Sequence, residues 1–352
     1  MINRGNWLHT KAFLEYRLKV DQISDGSIRL EKTYIRYLLE WAQETPFSKV
    51  PAIRPTFPEY LLSARLDGTE EQLSAVSIKK NLATARRFFH WLYDNVPGHS
   101  LIRPAWSKTL RAKRLSETDK KVSVVSFDEI LAITHAPTET VQDRRIQAAA
   151  VFWYLSGIRI GAFVTLPLKA VDIKNGMVKQ FPEWGVRTKN NKRAETVLLP
   201  IPELLEVVQA WDDEVRAALP DDAFWFAQLL STTGQIDLIP QGVGKHRHNL
   251  ARRNFKTWIS KVGLPYKNPH AFRHGHIHWG MTRAKDMLEF KAISENVMHS
   301  NVQITDRVYS NLKASELKQS IQNLAQNGVN ASDTEAKLLA LLEDLLKQRG
   351  KT

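Results

Sequence analysis

The spacing of the apolar residues limits what this chain can fold into more than any other feature, because it is helical over much of the sequence. Between residues 74 and 95, apolar side chains recur every three or four positions, the spacing of one face of an amphipathic helix. Ser74 or Ser77 can cap this helix. The stripe consists of Ile78, Leu82, Ala85, Phe89 and Leu92, and an earlier stripe consists of Tyr34, Tyr37, Leu38 and Trp41. The first hundred or so residues are therefore predicted to be helical.

One later region departs from the helical pattern. Asn175-Gly176 is a turn signal between apolar runs, and Glu195 to Leu199 has the composition of a strand that ends at Pro200. The polar run from Lys189 to Arg193 between them is predicted to be a hairpin tip. The fold class predicted from these patterns is mainly α with a small antiparallel β-sheet.

The chain is predicted to contain two domains. It has 352 residues, and single cores stop growing near ~250–300 residues. Residues 97–122 have the composition of a basic linker, and Ser126 to Glu129 forms a capping box that begins a new helix. We predict a helical domain over residues 1–114, a second domain over residues 115–327 and a helical tail over residues 328–352.

The positive charge of the chain is concentrated in a few segments. The formal net charge is +13, and the 48 residues between Asp237 and Asp286 hold ten Lys or Arg, six His and no acidic residue. Surfaces usually mix both signs, so a long acid-free segment favours a polyanionic partner, and nucleic acid is favoured over lipid because no lipid-binding helix accompanies the charge. The predicted DNA-binding residues are Lys79, Lys80, Arg86, Arg87, Lys108, Arg111, Lys113, Arg114, Lys245, Arg247, Arg252 and Arg253.

Several other classes of site are disfavoured. The chain has no cysteine, which excludes disulfides and thiolate chemistry. His270, His274 and His278 have spacings that can chelate zinc, but no carboxylate lies in that segment and the His-Glu-x-x-His motif is absent, so no metal site is predicted. No secretory signal or apolar run long enough to span a membrane is present, so we expect a cytoplasmic protein.

Four local clusters carry reactive side chains. They are Arg159 after Gly157, Lys189 at the hairpin, the pair His270 and Arg273 three residues apart, and the segment from His299 to Tyr309. Singly, each has an ordinary structural explanation, such as an ion pair, a solvated lysine or a packed tyrosine. Taken together, their order and spacing over residues 122–313 resemble the tyrosine recombinases, the phage-integrase family that includes Xer and Cre.

The resemblance implies a role for six residues and no cofactor. Arg159 and Arg273 would bind the scissile phosphate, because two fork-shaped guanidiniums match the charge that develops on its oxygens. Lys189, which matches the family better than Lys192, would protonate the departing 5′ oxygen. His270 would assist proton transfer at the hydroxyl of the nucleophile Tyr309, and His299 would hydrogen-bond the phosphate. Neither metal nor ATP is implied.

Two positions depart from the family pattern. Ala162 stands where an acidic residue commonly follows the first arginine, and this change is expected to alter how Arg159 is held and the efficiency of the enzyme. Met298 stands where a glycine commonly precedes the histidine of the last motif.

The resemblance also implies partners. It predicts two domains that form a clamp around double-stranded DNA with inverted core sites, and a tetramer that recombines or integrates a mobile genetic element in association with the nucleoid. The leucine stripe of the tail either folds back on its own domain or docks in a neighbouring protomer; its residues are Leu338, Leu339, Leu341, Leu342, Leu345 and Leu346. A telomere resolvase, a type IB topoisomerase-like enzyme and a non-catalytic DNA-binding regulator are the alternatives.

Overall fold

The computed structural model describes residues 1–63, 72–111, 122–239, 244 and 246–298. It divides into two compact units, Met1–Lys120 and Lys121–Thr352. Some of the sequence predictions lie outside the described residues: the domain boundary near residue 115, Lys113, Arg114, Lys245, His299, Tyr309 and the tail over residues 328–352.

The described part of the first unit is helical. Its elements are α1 (Arg4–Lys19), α2 (Asp25–Ala42), a 3₁₀-helix (Phe47–Ala52), α3 (Phe57–Ser63), α4 (Ala75–Asn95) and α5 (Pro104–Ser107). Ser74, and not Ser77, caps α4, because its side chain accepts a hydrogen bond from the Ser77 backbone N–H. The predicted stripe of α4 is buried along its whole length, and of the α2 stripe only Tyr34 is half-buried.

The predicted linker begins as packed structure. Trp106 on α5 meets Phe89 of α4 edge-on, with ring centroids 5.1 Å apart. Ile102 and Leu110 are buried in the same core. The segment up to Leu110 is therefore part of the first unit and is not an extended connection.

The second unit combines helices with one small sheet. Its helices are α6 (Phe127–Thr134), α7 (Val141–Ser156), α8 (Ile160–Phe163), α9 (Pro202–Ala218), α10 (Arg247–Lys261), α11 (Pro269–Met281) and α12 (Met287–Asn296). The predicted capping box is confirmed, since Ser126 and Glu129 each accept a hydrogen bond from the other's backbone N–H. Helix α7 is buried nearly throughout and packs against α6, α9, α10 and α11, which makes it the centre of this unit.

The sheet is antiparallel and follows the chain order. Its strands are β1 (Val171–Asp172), β2 (Met177–Gln180) and β3 (Ala194–Val197). Gly176 has a φ of 65°, as the predicted turn requires. Strand β3 is shorter than predicted, because the Leu199 N–H donates to the Leu155 carbonyl of α7 at 2.9 Å and leaves the sheet. The prediction of a mainly α fold with a small antiparallel sheet is confirmed.

Gly275 lets α11 approach its neighbours closely. A Cβ atom at this position would lie 2.4 Å from the Val125 carbonyl oxygen and 2.6 Å from Cε2 of Tyr154. The Val125 oxygen is backbone, so it cannot move aside without moving the chain that leads into α6.

We therefore expect Gly275→Ala to lower the free energy of unfolding by about 1–3 kcal/mol, the usual cost of overpacking a core. Gly26→Ala in α2 is the matched control, because the nearest atom to its Cβ is Ser24 Oγ at 3.9 Å. The control should be neutral or slightly stabilising, since alanine is the better helix former. Urea unfolding of both variants checks this, and equal stabilities would contradict the close approach.

Candidate functional site

Arg159 lies just beyond the C-terminal end of α7. That helix ends at Gly157, which has a φ of 60° and donates its N–H to the Trp153 carbonyl at 3.0 Å. A Cβ atom on Gly157 would lie 2.8 Å from Cγ1 of Val297 and 2.9 Å from Cδ2 of His276. Glycine is thus required here by conformation and by space, and it places Arg159 at the start of α8.

The guanidinium of Arg159 is half-buried and has no anionic partner among the described residues. Within that part of the chain it makes no hydrogen bond or salt bridge, and desolvation lowers its pKa. Ala162, where the family commonly has a carboxylate, is buried in the core and offers no counter-charge. Holding a positive charge partly out of water is costly unless an anion lies beside it, so Arg159 is a candidate anion-binding residue.

Arg273 is buried in the same region. Its side chain on α11 is 2% exposed. The guanidinium Nη1 donates to the Gly157 carbonyl at 2.6 Å, and Nη2 donates to the Val297 carbonyl. These two bonds fix the plane of the guanidinium and tie α11 to the ends of α7 and α12.

His270 lies in the first turn of α11, three residues before Arg273. The Asn268 side chain caps this helix by accepting the His270 backbone N–H at 2.9 Å. Desolvation lowers the pKa of His270, and the positive charges of Arg273, Arg159 and Arg252 lower it further. The structure therefore brings Arg159 together with His270 and Arg273, which lie more than a hundred positions further along the chain, and adds Arg252 from α10.

Lys189 lies at the tip of the hairpin between β2 and β3. The tip, Lys189–Asn191, is a tight turn in which Asn190 and Asn191 have left-handed φ values of 59° and 54°. Its base is closed by the Thr188 hydroxyl, which donates to the Lys192 carbonyl at 2.7 Å. Lys189 and Lys192 are both exposed, so the structure confirms the hairpin without choosing between the two lysines.

Further basic residues extend the cluster. The pKa of His248 is lowered by desolvation and then by the charges of Arg252, His246 and Arg187. Arg187, which was not predicted from the sequence, lies two residues before Lys189. The backbone N–H of Arg187 donates to Thr165 Oγ1 at 2.9 Å. Within the described residues, Arg187 and Arg252 form no salt bridge. We call Arg159, Arg187, Arg252, Arg273, His248 and His270 the basic cluster.

Arg247, which the sequence analysis placed among the DNA-binding residues, is buried. Its Nε donates to the Val164 carbonyl at 3.0 Å, and a second nitrogen donates to the Phe226 carbonyl. Burial, and then the charge of Arg187, lower its pKa to about 10. Unlike Arg273, Arg247 is not among the charges that act on His270. It therefore lies outside the group formed with Arg159, and we leave it out of the proposed contacts.

In the first unit, the predicted DNA-binding side chains are mostly exposed. Arg87 is tied down, because it donates to Glu31 at 2.8 Å and to Thr84 Oγ1 at 3.1 Å. Arg17 also bonds to Glu31, which is buried. Arg86 is half-buried, and the exposed members are Lys79, Lys80, Arg87, Lys108 and Arg111, with Arg252 and Arg253 exposed in the second unit.

Met298 adopts a backbone conformation that glycine favours. Its φ is 56°, and its N–H donates to the Glu295 carbonyl at 2.7 Å. The chain thus keeps the left-handed turn where the family commonly has glycine, and a methionine there costs about 1–2 kcal/mol of strain.

The zinc alternative gains no support from the geometry. The rings of His270 and His274 meet edge-on with centroids 4.5 Å apart. Across the described ranges, no three His, Asp or Glu side chains are grouped as a metal site requires.

A comparison with protein families places this site in context. The model of the phage integrase family matches residues 123–316, which contain the basic cluster and the predicted nucleophile. The chain belongs to the phage integrase family. Tyrosine recombinase XerC of Chromobacterium violaceum is 25% identical over 252 residues, covering 68% of this chain and 71% of that protein. XerC of Pelotomaculum thermopropionicum is 25% identical over 330 residues, covering 89% and 96%.

The solved structures show the same fold. The integrase of the Tn1549 transposon, determined in complex with transposon right end DNA, has a TM-score of 0.60 at 15% identity, covering 92% of this chain and all of that one (100%).

Among the described residues, no helix has the length and apolar character needed to cross a membrane.

His276 is a buried histidine near Arg273. It is 1% exposed, and burial lowers its pKa to about 4 from the ordinary value of 6.5. As the pH falls, the imidazole of His276 therefore becomes protonated at a higher pH in the unfolded chain than in the folded chain. The stability that the neutral ring contributes is complete above pH 6.5 and is lost as the pH falls towards 4.

We expect the free energy of unfolding to fall by up to about 3 kcal/mol through this group over that interval. Urea unfolding at a series of pH values measures it, with His276→Gln as the non-titrating comparison. The slope should be shallower in the variant. Identical slopes in the two proteins would show that folding does not lower the pKa of His276.

Proposed function

We propose that this chain is a site-specific DNA recombinase that cleaves and rejoins strands through a 3′-phosphotyrosyl intermediate on Tyr309. The observation that carries the proposal is the basic cluster, in which Arg159 and Arg273 lie with His270 and no carboxylate of the described residues forms a salt bridge to Arg159. Desolvation lowers the pKa values of His270 and His248, and the neighbouring positive charges lower them further, because groups of like charge raise each other's free energy. A phosphodiester would stabilise all of them at once.

The chemistry follows from the residue types. The Tyr309 hydroxyl oxygen attacks the phosphorus, the bond to the 5′ oxygen breaks, and the DNA strand is left joined to the protein through its 3′ phosphate. Arg159 and Arg273 neutralise the charge on the non-bridging oxygens. The leaving 5′ oxygen receives a proton from Lys189, while His270 accepts the proton of the tyrosine hydroxyl. His299 is proposed to hydrogen-bond the phosphate.

Rejoining reverses these steps. The 5′-hydroxyl of a partner strand attacks the phosphotyrosine and releases Tyr309, so the bond energy is conserved and the reaction as written uses neither ATP nor a metal.

The proposed partner is double-stranded DNA with inverted core sites, which the two domains clamp. Strands of two such sites would be exchanged within a tetramer. The DNA-bound structure of the Tn1549 integrase supports the choice of DNA. Within the described residues, the proposed phosphate contacts outside the basic cluster are Lys79, Lys80, Arg86, Arg87, Lys108, Arg111 and Arg253. Lys113, Arg114 and Lys245 complete the set from the sequence.

Trapping the intermediate tests the proposal. A nicked suicide substrate, from which the 5′-hydroxyl strand diffuses away, should leave a covalent protein–DNA band that Tyr309→Phe abolishes while DNA binding is retained. Tyr266→Phe is the control, because Tyr266 is the next tyrosine upstream. A covalent band that survives in Tyr309→Phe would assign the nucleophile to another residue.

A bridging-sulfur substrate tests the general acid. Replacing the 5′ oxygen by sulfur gives a leaving group that needs no proton, so it should restore cleavage by Lys189→Ala but not by Arg159→Ala. Loss of a general acid typically costs about 10²–10⁴-fold, and most of that should return. Lys192→Ala is the matched variant; selective rescue of Lys192→Ala instead would reassign the role.

A further inference from the structure

Strand β3 lies at the edge of the sheet, and one side chain of α12 hydrogen-bonds to its outer side. The Leu198 N–H donates to the Gly176 carbonyl on the β2 side, so the Val197 backbone groups point to the opposite edge, because successive residues of an antiparallel strand alternate. There the Val197 N–H donates to Asn296 Oδ1 at 2.7 Å, and Asn296 Nδ2 donates to the Val197 carbonyl at 2.9 Å. The amide side chain thus pairs with the strand as another strand would.

A third contact fixes the orientation of the amide. His276 Nδ1 lies 2.9 Å from the Tyr154 carbonyl, which can only accept, so Nδ1 carries the proton and Nε2 is an acceptor. Asn296 Nδ2 lies 3.3 Å from Nε2 and donates to it. All three contacts require the same placement of the Asn296 oxygen and nitrogen.

The backbone of Asn296 is tied to the same hairpin. The Thr196 hydroxyl donates to the Asn296 carbonyl at 3.1 Å, and Gln180 Nε2 of β2 donates to the Thr196 hydroxyl at 2.7 Å. Thr196 is fully buried. Both strands of the hairpin therefore connect to the last residue of α12.

The next residue along the chain connects to the phosphate site. The Val297 carbonyl accepts a hydrogen bond from the guanidinium of Arg273. The hairpin carries Lys189 at its far end, so Asn296 joins the element with the proposed general acid to the peptide that holds Arg273.

We propose that Asn296 is a positioning residue that sets the place of the Lys189 hairpin relative to the Arg273 site. It does not touch the DNA and acts through β3. This inference rests on the proposed function for its effect on cleavage, and on geometry alone for its effect on the hairpin.

The cleavage test compares two substrates. Asn296→Ala should lower cleavage of the ordinary phosphodiester by about tenfold or more, part of what a general acid contributes. On the bridging-sulfur substrate the loss should shrink to about threefold or less, since proton delivery is no longer needed. A variant that only weakened the fold, or that disturbed Arg273, would lose activity equally on both. Equal losses, or no loss, would overturn the proposal.

Asn175→Ala is the matched control. Asn175 lies in the turn between β1 and β2 of the same sheet and donates to Asp172 at 2.8 Å, so its removal costs one local hydrogen bond without touching α12. It should cleave both substrates at the wild-type rate.

Hydrogen exchange of the full chain without DNA tests the contact independently of activity. Asn296→Ala should speed amide exchange across residues 186–197, and Asn175→Ala should not. Unchanged exchange there would overturn the proposal whatever the cleavage data show. If the wild-type protein cleaves neither substrate, the proposed function fails, and the exchange measurement alone decides the role of Asn296.

Thr196→Val provides a second variant should Asn296→Ala not fold. It keeps the shape of the side chain, removes the hydroxyl bond to the Asn296 carbonyl and should show the same selective rescue. Its failure to do so in a folded protein would also count against the proposal.

Discussion

The hydrogen bonds from Arg273 to the carbonyls of Gly157 and Val297 hold the site together. They join the end of α7, the middle of α11 and the end of α12, three segments that are remote in sequence. A buried guanidinium is costly unless its N–H groups are paired, so the three segments must keep this arrangement for the fold to be stable. The same constraint places Arg159, two residues after Gly157, beside His270.

Close packing makes this arrangement specific. Gly157 and Gly275 occupy places where a Cβ atom would collide with Val297 and His276 in one case and with Val125 and Tyr154 in the other. Helix α11 can therefore lie against α7 at only one depth, and the positions of His270 and Arg273 follow from that depth. The result is a closely packed frame that gathers positive charges which repel one another. Their combined field favours an anion.

The sequence predicts the parts of this structure that depend on local signals. The helical stripe from Ile78 to Leu92, the capping box at Ser126 and the turn at Gly176 are each set by neighbouring residues, and the structure confirms them. The approach of Arg159 to His270 and Arg273 was expected only through the family resemblance, because no local rule relates Arg159 to residues more than a hundred positions away.

Long-range contacts account for what the sequence missed. Charge alone placed Arg247 on the surface, whereas the carbonyls of Val164 and Phe226, which are 83 and 21 positions away, draw it inside. The pairing of Asn296 with Val197 spans 99 positions and involves a residue type with no strand signal of its own. Such contacts depend on the packed frame and cannot be seen before it is known.

A crystal structure of the Tyr309→Phe chain on a half-site duplex would show whether Arg159 and Arg273 hold the scissile phosphate. We expect non-bridging oxygens of one phosphate to lie within about 3 Å of the guanidiniums of Arg159 and Arg273, with Arg273 still bonded to the Gly157 and Val297 carbonyls. The aromatic ring that replaces Tyr309 should face the phosphorus of that phosphate. A DNA backbone that passes the basic cluster without placing a phosphate between these two arginines would show that they do not form the phosphate site.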